Sequence, residues 1–195
     1  MNIWVQQIIQ VIISGIVTAS AYAIMGIGLS VIYGISRVFN FAYGSFFTWG
    51  AYFAWFLFAT FSWMNYPLVF LVVVPSMFFL GMGTEKVVVR SLRWRKNWQV
   101  TTMMVTLGLA FFMDNLALVI FGGFAKPLPP LFRGAINPFG FTLSVQDLAM
   151  LIIAVTVMIA FGLFLSRTRI GRCMQAISQD MTGAEIVGIP IKKVF

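Results

Sequence analysis

The residue types that carry out catalysis are scarce in this sequence. It contains no histidine and a single cysteine, Cys173. A serine or cysteine nucleophile paired with histidine is therefore excluded, and so is a histidine metal site. No GxxxxGK[ST] phosphate-binding loop is present, so the chain does not bind ATP in that manner. We expect no enzymatic activity, no metal and no cofactor. The acidic residues are spread over different segments and faces: Glu85, Asp114, Asp147, Asp180 and Glu185.

Two polar residues lie inside an apolar run that extends from about Val100 to Phe121. They are Asp114 and Asn115. A carboxylate is costly in hydrocarbon, so this pair should face the interior of a helical bundle or water. We interpret the pair as lining a polar pathway. A pair that forms interhelical hydrogen bonds is the alternative.

The composition is that of an integral membrane protein. Hydrophobic residues make up 61% of the 195 residues and charged residues only 9%, with a mean hydropathy of +0.96. Soluble domains carry far more charge, and the apolar runs are too long for barrel strands. We predict an all-α, polytopic transmembrane helical bundle. The N-terminal MNIWVQQ lacks the basic residues of a cleavable signal peptide, and the cytoplasmic Cys173 is expected to be a reduced thiol.

Five apolar runs predict five membrane spans, at about residues 8–33, 41–61, 67–83, 100–121 and 145–165, within a membrane domain of residues 1–166. The outer loops hold only two basic residues, Lys126 and Arg133. The cytoplasmic loops and tail hold Arg37, Lys86, Arg90, Arg93, Arg95, Lys96, Arg167, Arg169, Arg172, Lys192 and Lys193. Basic loops stay on the cytoplasmic side, so we place the N-terminus outside and the C-terminus inside. The same clustering between spans argues against nucleic-acid binding, despite a net charge of +8.

Asn40 precedes the second predicted span and is followed by small and aromatic residues. An amide at the start of a span can line a polar path or cap a broken helix. An ordinary N-cap is the simplest interpretation of this position.

Residues 167–195 form a polar stretch that we assign to the cytoplasm, where Arg167, Arg169 and Arg172 should hold it at the membrane face. Its apolar residues recur at steps of three or four, which predicts a short amphipathic helix with one apolar face. Gly183 and Glu185 favour a break into two short helices. Such a helix suits docking into a groove on a soluble partner or lying on lipid headgroups. The predicted face consists of Met174, Ile177, Met181, Ala184 and Gly188.

Several segments together resemble the membrane permeases of bacterial ABC importers for branched-chain amino acids, a family with close relatives for urea and short amides. They are GLSVIYGISRVFNFAYGSFFTWGAY, EKVVVRSLRWR, VTLGLAFFMDN, PLPPLFRG and RTRIGRCMQAISQDMTGAEIVGI, in the family's order. The resemblance implies a permease subunit in the bacterial inner membrane that forms one pathway with a second permease, as a homodimer or heterodimer. It also implies cytoplasmic ATP-binding subunits, an external substrate-binding protein and an amino acid substrate.

The resemblance also assigns residues. The coupling-loop pattern, which receives the ATP-binding subunit, is matched by Arg169, Gly171, Arg172, Ala176, Asp180, Ala184 and Gly188. The segment beside the translocation pathway is matched by Asn40, Phe41, Ala42 and Gly44, with Tyr43 where the family often has histidine. Family permeases continue with further spans, so a fragment, a truncated product or half of a split permease is expected. A non-transporting remnant or scaffold, a urea or amide permease and a passive channel are the alternatives.

Overall fold

The long apolar runs form helices, because hydrocarbon offers backbone polar groups no partner outside their own segment. The computed structural model describes residues 3–92, 97–132, 134–136 and 143–189. The helical elements, in chain order, are α1 (Ile3–Ser36), α2 (Tyr43–Thr60), α3 (Tyr66–Thr84), a π-helical segment (Glu85–Val89), α4 (Arg90–Leu92), α5 (Trp98–Phe121), α6 (Val145–Arg167), α7 (Arg169–Gln179) and α8 (Met181–Ile186). A short antiparallel pair, β1 (Ala135–Ile136) and β2 (Leu143–Ser144), precedes α6. The predicted all-α polytopic fold is confirmed.

Some of the predicted loop charges lie outside the described residues. They are Arg93, Arg95, Lys96, Arg133, Lys192 and Lys193.

Four helices in the described part of the chain are long and apolar enough to cross a membrane. They are Trp4–Ser36, Tyr66–Leu92, Trp98–Phe121 and Val145–Arg167. The helix α2 coincides with the remaining predicted span but is not one of these four helices. It carries no charged residue, and its 18 residues measure about 27 Å. The count of five spans and their orientation therefore remain predictions.

The chain divides into two units, of which the first comprises Met1–Ser36 and Pro130–Phe195. In this unit α1 packs along α6, and α7 packs against both helices. Near the C-terminal end of α1, a Cβ atom added to Gly34 would lie 3.3 Å from Ser178 Cβ on α7. Because α7 directly follows α6, the C-terminal ends of α1 and α6 lie at the same end of the unit. These two helices therefore run parallel.

The second unit comprises Arg37–Pro129, and in it α2 packs against both α3 and α5. A ladder of three hydrogen bonds joins the α2 segment to α5. Its bonds run from Phe41 N to Thr106 Oγ1 (3.3 Å), from Ser45 Oγ to the Ala110 carbonyl (3.4 Å) and from Trp49 Nε1 to the Met113 carbonyl (3.0 Å). Residue numbers rise together along both sides of this ladder, so α2 and α5 run parallel as well.

An aromatic cluster continues the α2–α5 contact beyond the ladder. The ring of Phe121, the last residue of α5, stacks on Tyr52 at 4.5 Å between centroids. Trp49 and Trp55 meet the same ring edge-on, at 6.0 and 6.3 Å. Lys126 Nζ lies 4.7 Å above the Trp55 ring, within range of a cation–π interaction. These aromatic residues therefore serve as packing within the bundle.

Replacing Trp49 with phenylalanine tests the ladder, because the aromatic ring remains while the indole donor is lost. We expect Trp49→Phe to lower the free energy of unfolding by about 1 kcal/mol, the usual net value of one hydrogen bond. Thermal unfolding in detergent measures the change. Trp63→Phe is the control, since Trp63 is 67% exposed in the turn after α2. Equal shifts for the two variants would contradict the assigned role of the indole.

Candidate functional site

The backbone between α1 and α2 leaves the helical conformation over a short segment, residues 37–42. Arg37 has a φ of 55°, in the left-handed region that L residues rarely adopt. Asn40 then closes a local turn, in which its Oδ1 accepts from Ala42 N at 3.1 Å and its carbonyl accepts from Tyr43 N at 3.2 Å. The N-cap residue of α2 is Ala42. The interpretation of Asn40 as an ordinary N-cap is therefore wrong, because its amide stabilises the turn before the cap.

The segment matched to the translocation pathway has an inward and an outward side. Ala42 is fully buried, whereas Phe41 and Gly44 are exposed and Asn40 is half-buried. Phe41 and Gly44 are therefore the members that a substrate or another chain can reach. Ala42 serves packing within the second unit, since a larger side chain has no space there.

Asp114 and Asn115 lie on the face of α5 that points away from α2. Both are exposed, whereas Met113 and Ala117 next to them are buried. Asn115 Nδ2 donates to the Phe111 carbonyl of its own helix at 2.7 Å, so the described part of the second unit holds no interhelical bond from this amide. Asp114 lies eight positions beyond Thr106, about 12 Å further along the helix. The structure therefore does not bring the pair next to the Asn40–Gly44 segment.

The polar stretch after α6 begins with an abrupt bend. Thr168 is extended, with φ −86° and ψ 153°, and it is both the C-cap of α6 and the N-cap of α7. Its Oγ1 accepts from Gly171 N at 3.0 Å and donates to the Phe164 carbonyl at 2.7 Å. A Cβ atom on Gly171 would lie 2.5 Å from Leu165 Cα and closer still to the Phe164 carbonyl. Glycine at this position therefore lets the first turn of α7 approach the last turn of α6.

The apolar side of α7 faces its own unit. Ile177 is 0% exposed, and α7 packs on α1 and α6. Ala176 is half-buried, whereas Arg169 and Arg172 are exposed. The cationic side of α7 is therefore available to a partner, whereas its apolar side is buried at Ile177 and exposed at Ile170.

The predicted break into two short helices is confirmed, and it occurs at Asp180. This residue has φ −146° and ψ 107°, and its Oδ1 accepts from Thr182 N at 3.0 Å as the N-cap of α8. The prediction of one continuous apolar face is wrong, because the extended residue turns α8 relative to α7. Ile177 and Ala184 are buried, whereas Met181 and Gly188 are exposed.

Gly188 ends α8 in a way that a side chain disturbs. Its φ is 82°, and Gly188 N donates to the Glu185 carbonyl while Ile189 N donates to the Ala184 carbonyl, both at 3.0 Å. This pattern is a Schellman motif, in which glycine occupies the left-handed position. Ala184 is only 4% exposed. Substitution at Gly188 or Ala184 therefore perturbs the loop itself as well as any contact that it makes.

Two residues that the sequence reasoning did not select form the most exposed apolar part of the loop within its described residues, 167–189. Ile186 is 83% exposed and Val187 is 79% exposed. The signal was an apolar pair directly before the glycine that ends α8. Burial of such a pair by a partner would recover about 25 cal/mol per Å² of apolar surface.

The close approach at the α6–α7 bend predicts that Gly171→Ala is destabilising. The added methyl group must push backbone apart, a type of overpacking that costs about 1–3 kcal/mol. Gly162→Ala is the matched control on α6, where an added Cβ meets nothing within 4 Å. Thermal unfolding in detergent compares the two variants. A Gly171→Ala midpoint equal to that of the control would contradict the close approach.

Comparison with known proteins identifies similar chains. A family model described as "Branched-chain amino acid transport system / permease component" matches residues 11–195. The high-affinity branched-chain amino acid transport system permease protein BraD of Pseudomonas aeruginosa is 26% identical over 195 residues, covering 93% of this chain and 62% of that protein. The corresponding LivH proteins of Salmonella typhimurium and Escherichia coli K12 are each 25% identical, over 199 and 201 residues, covering 96% of this chain and 64% of theirs. The chain thus spans less than two thirds of the length of these curated relatives. No solved structure matches it significantly.

Proposed function

Because the chain belongs to the family of permease components of branched-chain amino acid transport systems, we propose that it is the permease subunit of an ATP-driven importer in the bacterial inner membrane. Its substrates in this proposal are branched-chain amino acids. The observation that carries the proposal is the match of the family model to residues 11–195. The chain has no phosphate-binding loop of its own, so ATP is hydrolysed by separate cytoplasmic subunits.

Helix directions support five spans. The helices α1 and α6 run parallel in the first unit, so an odd number of crossings must separate them. The helices α3 and α5 supply two crossings, and α2 supplies the third if it also spans the membrane. The parallel course of α2 and α5 in the second unit agrees with this count, because α3 alone lies between them. Together with the basic inner loops, the count supports an N-terminus outside and a C-terminus inside.

The cytoplasmic stretch from residue 167 onward is the proposed coupling loop, the part that receives the ATP-binding subunit. The residues that the resemblance assigns to it are Arg169, Gly171, Arg172, Ala176, Asp180, Ala184 and Gly188. Gly171, Ala184, Asp180 and Gly188 build the bend, the break and the helix end. Direct contact with the partner is made by the assigned and exposed Arg169 and Arg172, together with two further exposed residues, Ile186 and Val187.

The proposed translocation pathway uses exposed groups of the second unit. Phe41 and Gly44 lie at the start of α2, and Asp114 and Asn115 lie on the outward face of α5. A carboxylate on this face avoids lipid if water or a second permease subunit covers it. A second permease, identical or not, and an external binding protein that delivers the amino acid complete the proposed assembly.

Uptake by the purified assembly tests the proposed function. The tagged chain is recovered from native membranes with its partners and reconstituted into proteoliposomes with the external binding protein. We expect uptake of labelled leucine, isoleucine and valine that requires ATP and stops when hydrolysis is blocked by vanadate. Urea and acetamide should not compete. Uptake without ATP would instead indicate a channel, and a stable assembly without uptake would indicate a scaffold.

The exposed apolar pair predicts a docking contact that can be removed without changing the loop fold. Ile186→Glu with Val187→Glu should weaken recovery of the ATP-binding subunit roughly thirtyfold, the effect of losing an interface hot spot. Quantitative affinity purification from native membranes measures the recovery. The matched control is Ile186→Met with Val187→Ile, which keeps the apolar surface. Equal recovery from the two double variants would exclude these residues as the contact.

A further inference from the structure

A buried hydroxyl on α5 holds the non-helical segment that precedes α2. Thr106 is 0% exposed, and its Oγ1 donates to the Met103 carbonyl at 3.0 Å. The same oxygen accepts from the backbone N–H of Phe41 at 3.3 Å. The hydroxyl therefore uses its one donor within α5 and one acceptor position on a segment 65 residues away.

The neighbouring backbone donors of this segment are satisfied locally. Ala42 N and Tyr43 N both donate to Asn40. The N–H of Phe41 is different because its partner belongs to another helix. The first N–H groups of a helix have no partner within the helix, and the same holds for the residue just before it. An acceptor outside the helix therefore fixes the direction in which such an N–H group points. Thr106 therefore sets where the Asn40–Phe41 turn lies relative to α5.

Among the three hydrogen bonds of the α2–α5 ladder, the bond at Thr106 is the one in which α5 contributes a side chain and not a backbone carbonyl. In the other two bonds, Ser45 and Trp49 donate to backbone carbonyls of α5. A substitution on α5 cannot remove those bonds without changing the helix. At Thr106, loss of one oxygen removes the contact with the segment and leaves the other two bonds in place.

We propose that Thr106 is a positioning residue for transport, whose hydroxyl holds Phe41 and the adjoining exposed Gly44 in the geometry that the passing substrate meets. This inference rests on the proposed function, since it concerns the segment assigned to the pathway. Thr106 itself is buried and does not touch the substrate. Loss of the hydroxyl lets the segment move away from this geometry, so fewer substrate molecules are transported for each ATP that is hydrolysed.

The test uses three variants in the complete assembly in proteoliposomes. Thr106→Val keeps the shape of the side chain and removes the hydroxyl, whereas Thr106→Ser keeps the hydroxyl. Thr102→Val is the matched control, because Thr102 lies one turn earlier on α5, is 1% exposed, and donates only to the Trp98 carbonyl of its own helix at 2.6 Å. Amide hydrogen exchange at Phe41, uptake of labelled leucine and ATP hydrolysis are measured for each variant.

For Thr106→Val we expect exchange at Phe41 to accelerate about fivefold, which is the factor for loss of one neutral hydrogen bond. The number of leucine molecules moved per ATP should fall by up to the same factor. The KM for leucine should not change, because the external binding protein captures the substrate. Thr106→Ser should restore both values, and Thr102→Val should match the wild type. A merely structural role would lower the amount of assembly without changing leucine moved per ATP.

Each remaining outcome decides a different question. Unchanged exchange at Phe41 in Thr106→Val would overturn the proposed anchor. Faster exchange with unchanged leucine per ATP would overturn the role in transport while leaving the hydrogen bond in place. Absence of ATP-dependent uptake by the wild-type assembly would overturn the proposed function, and the exchange rates would still decide whether Thr106 holds the segment.

Discussion

Pairing of backbone polar groups is the constraint on which the rest of this structure depends. In hydrocarbon an unpaired N–H or carbonyl costs several kcal/mol, so long apolar runs become helices that pair their own groups. Between α1 and α2 the backbone of residues 37–42 is not helical, so its polar groups need other partners. Asn40 provides two acceptors, and Thr106 provides a third from α5. The non-helical segment is therefore held in place within the second unit by a buried hydroxyl that lies 65 residues away in the sequence.

Parallel helix pairs follow from the same architecture. A membrane chain that crosses repeatedly alternates in direction, so a parallel pair within one unit reports an odd number of crossings between its members. The pairs α1–α6 and α2–α5 are both parallel, and each is held by contacts inside a single unit. Packing in this way carries information on topology that length and composition do not provide for α2, which is not among the four candidate spans.

The loop after α6 is organised by steric limits more than by its amphipathic pattern. Gly171 allows α7 to fold back at the end of α6, and Asp180 ends α7 and caps α8. The apolar side of α7 is then used for contact with α1, with Ile177 completely buried. In the described part of the loop, the surface open to a partner includes the cationic side of α7 and the exposed Ile186–Val187 pair. A periodic apolar face is therefore evidence for burial, but it does not say whether the covering surface belongs to another chain.

The sequence by itself determined the helical membrane class and the approximate bounds of five long helices, and it predicts that the loop after α6 is cytoplasmic. These properties depend on local composition, run length and charge, which are readable along the chain. It also supplied the family resemblance, through the order of several segments. The sequence predicts that the loop breaks into two helices, but the break lies at Asp180, and Gly183 and Glu185 both lie within α8.

Only the tertiary structure decided which of the selected residues build the loop and which remain accessible. Gly171, Ala184 and Ala42 carried the same pattern-based assignment as Arg169 and Phe41, yet their burial gives them a packing role. Thr106 could not be selected from the sequence, because its partner is 65 residues away and threonine is common in helices that pack closely. Burial and long-range hydrogen bonds arise from how helices meet, and periodicity within one helix does not contain that information.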